Sequence, residues 1–151
     1  STRIRAALAA GDLVTAKRLL GRAYSMSGRV IEGQRLGRTL GYPTANLRLG
    51  RRVSPLHGIF AIRVLGVDDA PWPGVASLGT RPTVDGGEML LEAHLFDYDG
   101  NLYGRHLRVE FVARLREERR FDSLAALTAQ MHQDAAGARE ILGLPAGSGA
   151  G

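Results

Sequence analysis

Cysteine is absent from the 151 residues, which excludes disulfides and thiolate metal sites and makes a reducing cytoplasm the natural location. Long apolar runs are missing too: none approaches the roughly 20 residues that a membrane-spanning helix needs, and no signal peptide is visible. Lysine is nearly missing, since Lys17 is its only instance among 20 basic residues. Arginine therefore carries the net charge of +5, and its planar fork suits bidentate phosphate recognition. A basic chain favours anionic partners, nucleotide or nucleic acid, although these arginines are scattered as on an ordinary solvated surface. Aromatics make up 6% of the chain and fall mostly at inward or turn positions, so the strands lack the exposed row of rings that stacks nucleic-acid bases.

Glycine is abundant. Its 20 occurrences imply many turns, while 44% hydrophobic content over this length supports one domain with a real core. The glycines concentrate informatively in GQRLGRTLGYPTANL, residues 33–47. Gly33, Gly37 and Gly41 recur every fourth residue, with Arg35 and Arg38 between them and Tyr42-Pro43-Thr44-Ala45-Asn46 following at once. Each interior glycine would cost a helix about 1 kcal/mol against alanine, and Pro43 disfavours helical geometry at Tyr42. The segment is read as a loop whose N–H groups can point at phosphate, with arginines adding charge-assisted bonds. Thr44 and Asn46 add two neutral oxygens that suit Mg²⁺ when phosphates supply its other ligands. A plain surface turn has the same composition. A Walker A loop is excluded by the lack of Gly-Lys-Ser/Thr, a dinucleotide fingerprint by the absence of G-x-G, and a membrane GxxxG face by the two arginines.

Residues 1–20 read as helical, in two pieces divided at Gly11-Asp12, with Asp12 capping the second and Leu8, Val14, Leu19 and Leu20 as the apolar positions. Strands are expected over 24–34, 57–67, 74–78, 89–98 and 105–115. The 57–67 strand is apolar on both faces, as for a strand buried in a barrel or under a helix. Thr80-Arg81-Pro82-Thr83 and Asp85-Gly86-Gly87 read as a polar loop, and Asp97-Tyr98-Asp99-Gly100-Asn101 as a hairpin turn without the later ligands of a calcium loop. In the fourth strand Leu91, Ala93 and Leu95 share one face, and Glu92, His94 and Phe96 the other. A glutamate so placed is ordinarily solvated or paired across strands. In the fifth, Leu107, Val109, Phe111, Ala113 and Leu115 point inward, and His106, Arg108, Glu110 and Arg114 outward. Asp122 or Ser123 caps a long helix with a stripe of Leu124, Leu127, Met131, Ala135, Ala138 and Leu142, stopped by Gly143 and Pro145. Antiparallel strands followed by one long helix suggest a closed, mainly β barrel with a helix across it.

GRVIEGQRLGRTLGYPTANL, with Pro43-Thr44-Ala45-Asn46 as its most specific part, resembles the signature of riboflavin kinases, in particular the C-terminal kinase module of bacterial bifunctional FAD synthetases. Collinear matches follow at His57-Gly58-Ile59-Phe60, Leu78-Gly79-Thr80-Arg81-Pro82-Thr83, Leu91-Glu92-Ala93-His94-Leu95-Phe96, Leu102-Tyr103-Gly104 and Leu115-Arg116 with Phe121. The resemblance implies an antiparallel barrel of about six strands. It also implies a kinase domain over 24–143, preceded by junction helices over 1–23 that continue from an adenylyltransferase module, while the Gly/Ala/Ser-rich composition makes 144–151 a disordered tail. There is no initiator Met and no His-x-Gly-His, so a fragment without the adenylyltransferase nucleotide motif is expected.

The implied reaction is phosphorylation of riboflavin by ATP with Mg²⁺, yielding FMN and ADP. By resemblance Glu92 is the base and Thr44 and Asn46 are the metal ligands, while His94 has no such counterpart and is read as packing or supporting its neighbours. Gly33, Arg35, Gly37, Arg38, Gly41, Tyr42, Pro43, Thr44, His57 and Gly58 contact ATP, and Arg81, Leu115, Arg116 and Phe121 contact the flavin. The reading from another functional class is a basic β-barrel that binds nucleic acid, supported by charge and architecture alone.

Overall fold

The computed structural model describes residues 1–31, 43–50, 54–83 and 86–146, with backbone alone for 81–83 and 86. Six antiparallel strands close into a barrel in the order β1-β2-β5-β4-β3-β6. They are β1 Ser25–Ile31, β2 Ala45–Arg48, β3 Gly58–Leu65, β4 Trp72–Thr83, β5 Gly86–Leu95 and β6 His106–Arg116. Helices α1 Thr2–Ala9 and α2 Leu13–Leu20 precede the barrel and α3 Leu124–Ile141 follows it. The mainly β barrel with a long C-terminal helix and a short helical start is thus what the chain forms.

The strand β3 is apolar on both faces because both are covered. Phe60, Ile62 and Val64 point into the barrel, where the Phe60 ring meets Phe111 edge-on at 5.1 Å between centroids. Ala61 points outward into a second cluster with Phe96, Ala135 and Ala138, beneath α3. Ser123 caps that helix by accepting from the Ala126 N–H at 3.0 Å. Leu124, expected in the buried stripe, is exposed, because the docked stripe begins a turn later at Leu127. Leu144, grouped by composition with the tail, packs against the second cluster and donates its N–H to the Arg139 carbonyl.

Asp12 caps α2, accepting from the N–H and hydroxyl of Thr15 at 3.0 and 2.6 Å. Those two bonds hold its carboxyl below the ordinary value of 3.8. Ala7, Leu8, Leu13 and Ala16 join the same buried cluster as the barrel interior, and Arg114 donates to the Ala10 carbonyl. Val14 and Leu20, expected among the packed positions, are exposed at 68% and 38%. A two-turn helix buries one narrow stripe, and here Leu13 and the small Ala16 occupy it.

Three further departures bear on the site. A short strand, β2, follows Thr44 directly, where the sequence shows only loop residues and a basic stretch. The expected loop at Thr80–Thr83 is strand: β4 stays paired with β5 out to Thr83 opposite Gly86. Finally, the alternation of β6 does not run to its end. The register against β3 shifts twice, leaving Val112 and then Leu115 as extra residues. Ala113 therefore pairs with outward-facing Ala61, and Leu115 packs under α3 instead of inside the barrel. Arg114, assigned to the outer face, reaches α1 instead, and Arg116 emerges on the outer face toward α3.

Candidate active site

The register of three strands assembles the first half of the site. Asn46 on β2 lies opposite Glu92 on β5, and Glu92 lies opposite Ser77 on β4. One residue away, Ala45, Ala93 and Ala76 also face one another, the last two buried in the barrel core. Since successive side chains alternate, Asn46, Glu92 and Ser77 must share the outer face. Thr44, His94 and Val75, two residues along their chains, share it as well. Asn46 is buried with 6% of its surface exposed, and Glu92 is half-buried. The His94 Nδ1 donates to the Pro43 carbonyl at 3.0 Å, which ties the segment before β2 to β5.

The second half comes from the end of β6, the segment after it and α3. Thr44, Ser77, Glu92 and His94 face Arg116, Glu118, Phe121, Leu127, Met131 and Asp134 across a cavity of about 590 Å³. That volume lies in the range of small-molecule and cofactor sites, and the mix of apolar walls with a few polar groups is the usual make-up of one. Glu118 is drawn toward β4, where its carboxylate accepts from the Ser77 hydroxyl at 3.0 Å. Gly79 permits that approach: a Cβ there would lie 2.7 Å from a Glu118 oxygen. Three carboxylates, Glu92, Glu118 and Asp134, thus line one cavity with the guanidinium groups of Arg116, Arg119 and Arg120.

Of the residues singled out from the sequence, Thr44, Glu92, Arg116 and Phe121 line this cavity, and Asn46 pairs with Glu92 at its edge. Pro43 joins through its bond to His94. Leu115 does not face the cavity, because the bulge beside it turns it under α3. His57 and Gly58 are not among the lining residues. His57 is exposed, its Nδ1 donating to the Pro55 carbonyl at 3.1 Å. Gly58 is buried with φ 127°, where a Cβ would approach the Arg116 carbonyl at 2.8 Å. The glycine serves close packing of β3 against β6. Gly33, Arg35, Gly37, Arg38, Gly41 and Tyr42 lie outside the described residues, as does the side chain of Arg81.

Sequence reasoning missed Ser77, Glu118 and Asp134. For Asp134 a signal was present: it falls in phase with Leu127, Met131 and Ala138 on a stripe otherwise apolar, so a carboxylate there has to find a buried partner. Among the described residues no three His, Cys, Asp or Glu side chains gather to hold a metal. The oxygens of Thr44 and Asn46, two residues apart on one face, suit a hard cation that brings most of its ligands with it.

Comparison with known proteins bears on the family and the fold. The family model described as "Flavokinase: Riboflavin kinase" matches residues 20–142. The bifunctional riboflavin kinase/FMN adenylyltransferase of Escherichia coli (strain K12) is 51% identical over 144 residues, covering 95% of this chain and 46% of that protein. The protein of the same description from Pseudomonas fluorescens is 51% identical over 142 residues, covering 93% and 45%. The chain spans about half the length of these curated relatives. Among solved structures, one described as a macrolide-efflux protein from Streptococcus pneumoniae superposes with a TM-score of 0.80 at 37% identity, covering 89% of this chain and 44% of that one. Among the described residues here, no helix is long and apolar enough to cross a membrane. Riboflavin kinase from Trypanosoma brucei shares the fold, with a TM-score of 0.57 at 24% identity over 80% of this chain and 78% of that one. The nucleic-acid-binding reading gains no support from these matches.

Proposed function

This chain belongs to the flavokinase, or riboflavin kinase, family, and we propose that it transfers the terminal phosphoryl group of ATP to the primary ribityl hydroxyl of riboflavin, giving FMN and ADP. The observation that carries this reading is the cross-strand register that sets Asn46 opposite Glu92, which itself lines a cavity large enough for a small molecule. Phosphoryl transfer asks the protein for positioning and charge stabilisation more than for covalent chemistry. Glu92, half-buried on the cavity wall, is the group that orients the attacking hydroxyl and takes its proton. The apolar wall of Phe121, Leu127 and Met131 suits a flat ring system such as isoalloxazine.

Thr44 and Asn46 are the residues of this chain that would hold Mg²⁺. The chemistry such an ion would supply there is neutralisation of the charge that develops on the transferred phosphoryl group. Because both oxygens are neutral, these two residues alone would hold the ion weakly, and the nucleotide would have to bring it. The Gly33–Gly41 stretch, which precedes Pro43 and Thr44 in the sequence, is assigned to the ATP phosphates on its glycines and arginines. ATP-dependent chemistry and the absence of cysteine both fit a cytoplasmic enzyme. An FMN adenylyltransferase module, named in the bifunctional relatives, would precede this domain in a parent chain.

The test is incubation of the protein with riboflavin, ATP and Mg²⁺, following flavins by chromatography. FMN without FAD is expected, since the sequence has no His-x-Gly-His. A folded protein that binds Mg·ATP and yields no FMN would overturn the assignment.

A further inference from the structure

Arg116 looks like a cation facing the cavity, but its hydrogen-bonding edge is already committed. Its Nε and Nη2 donate to Oδ1 and Oδ2 of Asp134, both at 2.9 Å, and its Nη1 donates to the Glu117 carbonyl at 3.0 Å. The pair is largely withdrawn from water, with the two side chains 19% and 7% exposed. A bidentate pair of this kind cancels the arginine's charge and fixes the plane of its guanidinium. Arg116 is thus poorly suited to be a phosphate receptor and well suited to be a strut.

The same carboxylate holds a second arm. Gln130 donates Nε2–H to Asp134 Oδ1 at 3.0 Å, and its Oε1 accepts from Arg119 at 2.7 Å. The amide can be oriented in no other way, since arginine only donates and a carboxylate only accepts. Both arginines converge on one ring: the guanidinium carbons of Arg116 and Arg119 lie 5.6 and 4.9 Å from the Phe121 centroid. Asp134 on α3 therefore clamps, directly through Arg116 and through Gln130 to Arg119, a segment whose residues 117–120 are exposed and form neither strand nor helix, and which meets β4 through Glu118 and Ser77.

We propose that Asp134 is a positioning residue for the flavin co-substrate: by anchoring Arg116 and Arg119 it holds Phe121 and the 117–121 segment as the cavity wall. This rests on the riboflavin kinase reading and deepens it. Thr44 and Glu92, on the other side of the cavity, belong to the residue before β2 and to β5, whereas the bonds of Asp134 go to Arg116 and Gln130, so losing the clamp should act on riboflavin and spare ATP. Arg116, expected from the sequence to contact the flavin, is assigned in addition the task of holding Phe121 in place.

The experiment compares Asp134→Asn, Asp134→Glu, Arg116→Met and the double variant Arg116→Met/Asp134→Asn. Steady-state kinetics are run with riboflavin and Mg·ATP varied separately, and amide hydrogen exchange over residues 117–121 is measured without substrate. Asp134→Asn should raise the riboflavin KM about tenfold, since small misplacements of a binding wall are costly, and leave the ATP KM within about twofold. Exchange in 117–121 should quicken, and Asp134→Glu should recover part of both effects. Adding Asp134→Asn to Arg116→Met should cost less than it does alone, because the two residues act in one network. Should Asp134→Asn not fold, the double variant leaves no charge unpaired and must show the same two changes. Equal rises in both KM values, full additivity, or unchanged exchange in 117–121 would overturn the proposal. Wild-type protein inactive on riboflavin would instead overturn the functional reading, while the exchange result still decides whether the clamp exists.

Discussion

Glu92→Gln isolates the proton-accepting role from everything else that Glu92 does. The substitution keeps length, shape and one acceptor oxygen, so the half-buried position between Asn46 and Ser77 stays filled and the three-strand register is undisturbed. What disappears is a carboxylate able to take a proton. General-base catalysis contributes about 10²–10⁴-fold, which is about 2.7–5.4 kcal/mol of barrier. The expected result is a fall in kcat of at least about 10²-fold with the KM for ATP essentially unchanged and no loss of thermal stability. FMN formation under saturating substrates, beside a melting curve, measures all three. A kcat within about threefold of wild type would refute the role, and a large fall in melting temperature would show that Glu92 serves the barrel instead.

Thr44→Ala removes one neutral oxygen and should weaken use of Mg·ATP about tenfold or more in kcat/KM, read from kinetics at varied Mg·ATP; an unchanged value would remove Thr44 from the metal site. Titration of Mg²⁺ into the nucleotide-free protein by calorimetry should show binding weaker than about 1 mM, and tight binding would refute the neutral-donor argument. Phe60→Ala empties a fully buried position against Phe111 and should cost about 3–5 kcal/mol in urea unfolding. A loss under about 1 kcal/mol would mean that the barrel interior relaxes into the gap. The Asp12 carboxyl titrates lower in the folded chain than unfolded, so its cap stabilises above the ordinary value of 3.8 and is lost as pH falls through the folded value. The melting-temperature gap between wild type and Asp12→Ala should hold at neutral pH and close in acid below that value; a gap that widened in acid would contradict the assignment.

Residue types and short-range spacing carried a good deal of this protein. The two-sided apolar pattern of β3, the face shared by Glu92 and His94, the Asp12 cap and the end of α3 near Gly143 all follow from local preferences and side-chain alternation. The Pro43–Asn46 motif pointed to the same chemistry before any register was known. What only the tertiary structure decided lies in contacts between distant segments. Four residues, Ala45–Arg48, become strand because β1 and β5 supply partners on both sides, not because their own propensity is high. Thr80–Thr83 stay extended because Gly86–Met89 pair with them, whatever their turn-forming composition. Two bulges against β3 reverse the expected direction of Leu115 and bring Arg116 out toward α3. Asp134, 18 residues beyond Arg116, becomes its counter-ion only when the helix docks. Alternation within a strand dictates which residues share a face; pairing register and helix docking are sums over many distant contacts, and they decide which faces meet.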